Sequence, residues 1–296
     1  MKILVVNPNS STSITDRLSE SIEPPPGVQL TWWTAPSEAP PSIDDEETSD
    51  SSTAVCLPRI LELCKSAANA GALTGSVERL FDGILIACYS DHPLITLLRT
   101  HLEDPPIHVL GILEASVAHA LLLPQLPPLN KFGIITTGQT WEPVLENAVK
   151  SVLGVTESER FAGVRSTGVG VLGFHGPGEP DEVDAGVEKA VQELVKNGAG
   201  VIILGCAGMS GLEASVKLAA SRVGSGRAVL VVDGVRGGIH LLVGLIRYST
   251  MHFVQSRIAS ANLQIYYLLI LKGIPCIIRD SITRQLTSLL EISALS

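Results

Sequence analysis

An α/β fold built on parallel sheets is predicted by three features of the sequence. Short apolar runs recur along the chain, they are continuous rather than alternating, and helical patterns separate them. A strand inside a parallel sheet is covered on both faces, so it reads as an unbroken stretch of Val, Ile and Leu. Regular strand–helix alternation excludes the all-α and all-β classes.

The runs expected as strands are Ile3–Val6, Val28–Trp33, Gly83–Ala87, Ile107–Gly111, Phe132–Thr136, Gly168–Gly173, Val201–Leu204 and Val229–Val232. The first ends in Asn7-Pro8-Asn9-Ser10-Ser11, a polar turn before a helix. Ala35 to Thr53 is rich in Pro, Ser and acids and is expected as a solvated loop. Another helix opens at Pro180-Asp181-Glu182, with Pro and acids in its first turn. Val183, Val187, Val191 and Leu194 form its buried stripe, and Gly198 is placed to end it.

An internal echo favours two sheets over one. The first half opens with a strand ending in Asn7-Pro8-Asn9. The second opens with Phe132-Gly133-Ile134-Ile135, ending in Thr136-Thr137-Gly138 before a helix from about Trp141. Later come Gly83-Ile84-Leu85-Ile86-Ala87-Cys88 in the first half and Val201-Ile202-Ile203-Leu204-Gly205-Cys206 in the second. The Pro-rich stretch Leu123 to Leu129 is the expected crossing. The domains expected are residues 1–113 plus about 225–248, then 114–224, then an atypical tail at 249–296 where the strand–helix rhythm stops. Val229–Val232 is expected to return to the first domain.

Composition narrows the function classes. The chain has 296 residues, 45% hydrophobic and 17% charged, enough for a substantial core. Its net charge is −9, much of it in Asp44-Asp45-Glu46-Glu47, and it contains no block of Lys and Arg, so nucleic acid is not an expected partner. The apolar start Ile3–Val6 is too short for a signal peptide. Ile265 to Ile278, the longest near-apolar stretch, is cut by Lys272, Gly273 and Pro275, so no membrane span is expected. Five scattered cysteines lack metal-ligand spacing and fit a reducing, cytoplasmic setting with free thiols.

Two of these thiols carry the chemical interest. In open parallel sheets ligands bind beyond the carboxyl ends of strands, and Cys88 and Cys206 both occupy such ends. Tyr89-Ser90-Asp91-His92-Pro93 follows the first and Ala207-Gly208-Met209-Ser210-Gly211 the second. A lone free cysteine is ordinarily core; two in matching positions of two echoed halves are not ordinary. A helix N-terminus after each would make the thiol more readily ionised. Asp91 and His92 could tune Cys88, or serve equally as a first-turn acid and a loop imidazole.

Asn-Pro-Asn-Ser-Ser at the start, Ala-Cys-Tyr-Ser-Asp in the middle, Leu-Gly-Cys-Ala-Gly-Met later and Val232-Asp233-Gly234-Val235 resemble the hydantoin and allantoin racemase branch of the Asp/Glu racemase superfamily over roughly residues 1–248. The resemblance implies two flavodoxin-like domains related by a pseudo-twofold axis, with the active site in the cleft between them. It implies Cys88 and Cys206 as catalytic acid and base toward a small-molecule substrate, and neither cofactor nor metal. By the same resemblance Asn9 and Thr137 hold substrate oxygens, with Ser10, Thr136, Gly138, Ser90, Ala207 and Gly208 beside them. Turn formation and helix capping remain the competing roles for the Asn, Ser and Thr residues. The amino-acid racemase branch places His after its second cysteine. Ala207 and Gly208 stand here instead, which favours a neutral cyclic substrate. Another reaction of the superfamily, a non-catalytic binding relative and a redox disulfide stay open, as does association with further copies of the chain.

The remaining signals are weak. Gly168-x-Gly170-x-x-Gly173 matches the dinucleotide pattern by letters but is expected inside a strand, the wrong context. Cys56 and Cys64, eight apart on a helical pattern, are expected in the core. The histidines do not cluster as metal ligands. Trp32-Trp33 is expected to pack.

Overall fold

The computed structural model describes residues 1–70, 80–103, 107–123, 128–170, 180–223 and 228–250. Met1–Leu242 form one compact unit, Val243–Ser296 another. Of the second, the described residues 243–250 are helical; the expected tail lies outside the described residues except for its first two positions. Among the described residues no helix is long and apolar enough to cross a membrane.

The first unit holds two four-stranded parallel sheets. Strands β1 (Lys2–Asn7), β2 (Gln29–Thr34), β3 (Gly83–Ile86) and β4 (His108–Gly111) alternate with α1 (Thr12–Ser21), α2 (Glu46–Ala70), α3 (Pro93–His101) and α4 (Ile112–Leu122). Strands β5 (Lys131–Thr136), β6 (Phe161–Ser166), β7 (Ala199–Leu204) and β8 (Leu230–Asp233) alternate with α5 (Trp141–Leu153), α6 (Pro180–Lys196) and α7 (Glu213–Ser221). A final helix, α8, covers residues 234–250. The sheet orders are β2-β1-β3-β4 and β6-β5-β7-β8. Each sheet therefore repeats one topology, and the echo read from the sequence is a structural repeat.

The central strands are the unbroken apolar runs. Every residue of β3 and β7 is buried, and only the first residue of β1 is exposed. The edge strand β6 departs from that pattern, and the sequence reading misplaced it. The expected strand Gly168–Gly173 is not one: Gly168, Val169 and Gly170 are irregular, and residues 171–173 lie outside the described residues. The strand is Phe161–Ser166, mostly half-buried. An edge strand pairs on one side only, so Arg165 and Ser166 are admissible there and the apolar run is lost. The Gly168–Gly173 pattern thus follows a strand instead of lying within one. Among the described residues that follow it, the next helix is the one from Pro180, seven residues past the last glycine of the pattern, where the fingerprint needs its helix to open on the glycines themselves.

The expected loop Ala35–Thr53 is also corrected: α2 begins at Glu46. Asp45 supplies the start signal, accepting from the backbone N–H and hydroxyl of Thr48 at 2.8 and 2.7 Å. Ala35, Ala39 and Ile43 are buried, so the preceding loop is anchored rather than merely solvated. Val183, Val187, Val191 and Leu194 pack α6 into the second core, and Gly198 closes it at φ +92°. Cys56 is buried and Cys64 partly buried in the first core, and Trp33 packs there too.

Val229–Val232 does not return to the first sheet. Its strand β8 pairs with β7, Leu204 opposite Asp233. Helices make the crossings instead. Helix α4, though it leaves the first sheet, packs on β7 and β8. The start of α8 lies against β3, so closely that a Cβ on Gly238 would stand 2.7 Å from Leu85 Cδ1. An apolar run identifies a strand but not its partner, which accounts for the misassignment.

Gly205 permits the close approach of β7 to β5 at the carboxyl end. Its N–H donates to the Ile135 carbonyl at 2.7 Å, and an added Cβ would meet Ile134 Cγ2 at 2.5 Å and Ile135 O at 2.6 Å. Gly205→Ala is expected to lower unfolding free energy by about 1–3 kcal/mol, measured by urea denaturation; an unchanged midpoint would show that the two strands can part without cost.

Candidate active site

In each sheet the chain leaves its first strand toward one side and its third toward the other, so a crevice opens between them at their carboxyl ends. In the first sheet Val6 stands opposite Ile86. The Ala87 N–H donates to the Val6 carbonyl at 2.8 Å, and Cys88 follows. In the second sheet Ile135 stands opposite Leu204, and Gly205 and Cys206 follow. Each thiol therefore leaves its sheet at the same point of the repeat, beside the polar turn that ends the neighbouring strand.

Both thiols line one cavity that opens to solvent. Seven of the ten residues singled out from the sequence line it: Cys88, Cys206, Asn9, Thr136, Thr137, Ala207 and Gly208. Three do not. Ser10 donates its N–H to the Pro40 carbonyl at 2.9 Å, and the Gly138 carbonyl accepts from Trp141 N at 3.1 Å, opening α5. Ser90 lines the neighbouring cavity instead, its Oγ 3.4 Å from the Cys88 sulfur. Among the described residues no group of three or more His, Cys, Asp or Glu could hold a metal.

The polar turns are braced from below. Asn7 is buried; its amide donates to the Ser11 carbonyl at 3.0 Å and to Thr15 Oγ1 at 3.1 Å, and its Oδ1 accepts from Asn9 N at 3.3 Å. Asn9 Oδ1 accepts from Ser11 N at 3.0 Å, an Asx turn that commits its oxygen but not its amide N–H groups. Thr136 Oγ1 donates to the Gly205 carbonyl at 3.4 Å, tying the second polar turn to the Cys206 strand. Asn9 thus forms the turn and lines the cavity at once.

The loop after Cys206 is a 3-10 turn, Ala207–Met209. It is held by the hydroxyl of Ser210, which donates to Asp233 Oδ2 at the end of β8, both side chains being buried. The other oxygen of Asp233 accepts from the N–H groups of Val235 and Arg236 at 2.9 and 3.0 Å, capping α8. One carboxylate therefore fixes both the second thiol's loop and the returning helix.

Burial works against the ready ionisation expected of the two thiols, although both are only partly buried by exposure. Burial pushes Cys88 up to about 11, opposed by the Ser90 hydroxyl and reinforced by the Asp44 charge. Burial pushes Cys206 up to about 12, opposed by the Gly208 and Met209 N–H groups and reinforced by charge on Cys88 and Asp44. The helix N-termini are too far along the chain to reverse this: α3 starts at Pro93 and α7 at Glu213. Desolvation acts on the whole charged form, whereas the dipole effect fades within a turn. Both cysteines are free thiols, not a disulfide. His92 is the N-cap of α3, its Nδ1 accepting from Leu94 N at 3.3 Å, and burial lowers it to about 4, so it is a neutral structural imidazole.

The sequence reading missed Ile14, Ser42, Ile43, Asp44, Tyr89 and Trp141, all in the lining. Tyr89 is adjacent to Cys88, and Trp141 starts the helix after the Thr-Thr-Gly turn, so proximity to known motifs could have flagged them. Nothing local flags residues 42–44. They reach the cavity because Ser10 N–H holds Pro40 and Ser52 Oγ holds Pro8, the latter at 2.6 Å.

Residues 3–242 match the family model described as Asp/Glu/Hydantoin racemase. The chain belongs to the Asp/Glu/hydantoin racemase family. Protein DCG1 of Saccharomyces cerevisiae is 33% identical over 255 residues, spanning 83% of this chain and 97% of that one. A hydantoin racemase of Rhizobium meliloti is 25% identical over 248 residues, 83% of this chain and 89% of that one. The crystal structure of allantoin racemase from Pseudomonas fluorescens superposes with a TM-score of 0.65 at 26% identity, covering 84% of this chain and 92% of that one. This member of the racemase family keeps its two-sheet fold with a cysteine after the third strand of each sheet.

Two measurements follow. Iodoacetamide labelling of Cys88 and Cys206 at about pH 8 is expected to run at least roughly tenfold slower than in the urea-unfolded chain, because thiolate is scarce, and to accelerate as pH rises past about 10. Labelling at unfolded-chain rates would contradict the burial effect. Ser210→Ala leaves Asp233 Oδ2 short of a partner and is expected to cost about 1–3 kcal/mol of stability, read from the thermal midpoint.

Proposed function

We propose that this chain is a cofactor-independent two-cysteine racemase of a hydantoin-type substrate, a 5-substituted hydantoin or allantoin. The observation that carries the reading is that the Cys88 and Cys206 thiols, one from each sheet, line the same small cavity beside the polar turns of Asn9 and Thr136-Thr137.

Inverting a carbon acid needs one group to remove a proton and another to return one on the opposite face. One cysteine, as thiolate, takes the proton from the carbon beside the carbonyl. The C–H bond breaks, an S–H bond forms, and the electron pair moves onto the carbonyl oxygen as an enolate. The other thiol then gives its proton to the opposite face, its S–H bond breaking as the new C–H bond forms. The pair ends with its ionisation reversed, ready for the other enantiomer. The uncommitted amide N–H groups of Asn9 and the Thr137 hydroxyl are suited to receive the charge on oxygen.

Raised thiol pKa values suit this role. A thiolate stripped of water is a stronger base toward a weak carbon acid, and charge on one sulfur disfavours charge on the other, as the effect of Cys88 on Cys206 indicates. Near neutral pH both sulfurs then carry protons, and racemisation draws on the minor state in which one of the two has ionised.

The test is to incubate each enantiomer of 5-methylhydantoin and of allantoin in deuterium oxide with enzyme-free controls. Loss of optical rotation with one deuterium at the chiral carbon is expected from either enantiomer. Cys88→Ser and Cys206→Ser are each expected to reduce racemisation at least about 100-fold in both directions. A fully active Cys88→Ser protein would reject the two-thiol mechanism, and binding without label exchange would indicate a non-catalytic relative.

A further inference from the structure

We infer that Asp44 is a specificity-determining residue of the thiol cavity, turning away anionic substrates and accepting an N–H of a neutral one. The inference rests on the racemase reading only for the identity of that neutral substrate.

Asp44 and Trp141 are the two residues common to the thiol cavity and a second, outer cavity next to it. Asp44 comes from the loop before α2 and Trp141 from the start of α5, so one residue from each half stands where the two spaces meet. The outer cavity also carries Asp45, Glu46, Asp50 and Asp91, and neither lining includes a Lys, Arg or His. A substrate carboxylate passing this way meets like charge from several exposed acids and finds no cation, an unfavourable encounter that salt would weaken.

The Asp44 side chain is held but not consumed. Ser42 Oγ donates to its Oδ1 at 2.9 Å, and its own backbone N–H donates to Thr48 Oγ1 at 3.0 Å. Oδ2 has no protein donor among the described residues, and none of the ion pairs there uses Asp44. A ureido or ring N–H is the complementary group, since a carboxylate can only accept. The charge also reaches the reacting atoms, because it raises the proton affinity of both Cys88 and Cys206. A carboxylate serving only to shape the start of α2 would not have to line the cavity of the two thiols.

The test compares two alkylating reagents of similar size and opposite character, neutral iodoacetamide and anionic iodoacetate, on the wild-type protein, Asp44→Asn and Asp44→Glu. Labelling of Cys88 and Cys206 is followed by peptide mass. The wild type is expected to prefer iodoacetamide by roughly tenfold more than free cysteine does; Asp44→Asn loses that excess and Asp44→Glu keeps it. In parallel, kcat/KM is measured for 5-methylhydantoin and for hydantoin-5-acetate. Asp44→Asn is expected to narrow the preference for the neutral ring by a similar factor. If the labelling ratio responds but no hydantoin is racemised, the substrate reading fails and the role of Asp44 stands. If the wild type racemises 5-methylhydantoin and neither ratio changes in Asp44→Asn, the role of Asp44 is overturned.

Discussion

Parallel hydrogen bonding between the first and third strands of each sheet is the constraint on which the rest of this molecule depends. Because β1 pairs with β3 and β5 with β7 in parallel, with Val6 opposite Ile86 and Ile135 opposite Leu204, the carboxyl ends of neighbouring strands emerge together. A polar turn and a cysteine are thus delivered side by side, twice. Slipping either register would separate the thiol from its turn, and the all-apolar strands leave little freedom to slip, since every position of β3 and β7 is buried.

The two sheets are knitted together by helices that cross. Helix α4 leaves the first sheet to cover β7 and β8, and α8 leaves the second to cover β3. The Ser210–Asp233 hydrogen bond joins these arrangements, because Asp233 caps α8 with one oxygen and steadies the Cys206 loop with the other. Packing of the scaffold and placement of the second thiol are therefore not independent properties.

Burial governs the chemistry as much as position does. Partial burial raises both thiols, and the few donors at hand, Ser90 for one and the Gly208 and Met209 N–H groups for the other, offset this only in part. The Asp44 charge acts in the same direction as burial. The site thus favours protons on sulfur.

The sequence by itself determined the class of fold, the repeat and the two thiols, because these are written in local pattern. A strand buried on both faces must be continuously apolar, and a cysteine at its end is visible without knowing its neighbours. Asn9, Thr136 and Thr137 were legible for the same reason, as polar turns directly after such strands. Edge strand β6 was not, since half-exposure lets Arg165 and Ser166 replace the apolar run. Only the tertiary structure decided that β8 stays in the second sheet while α8 returns, because partner choice is set by packing between distant residues. Only it brought Asp44 from an acidic loop to the thiols, through Ser10 holding Pro40 and Ser52 holding Pro8. And only it showed the burial that opposes the expected ease of thiol ionisation, because desolvation is a property of the whole enclosing fold and not of the residues beside a cysteine.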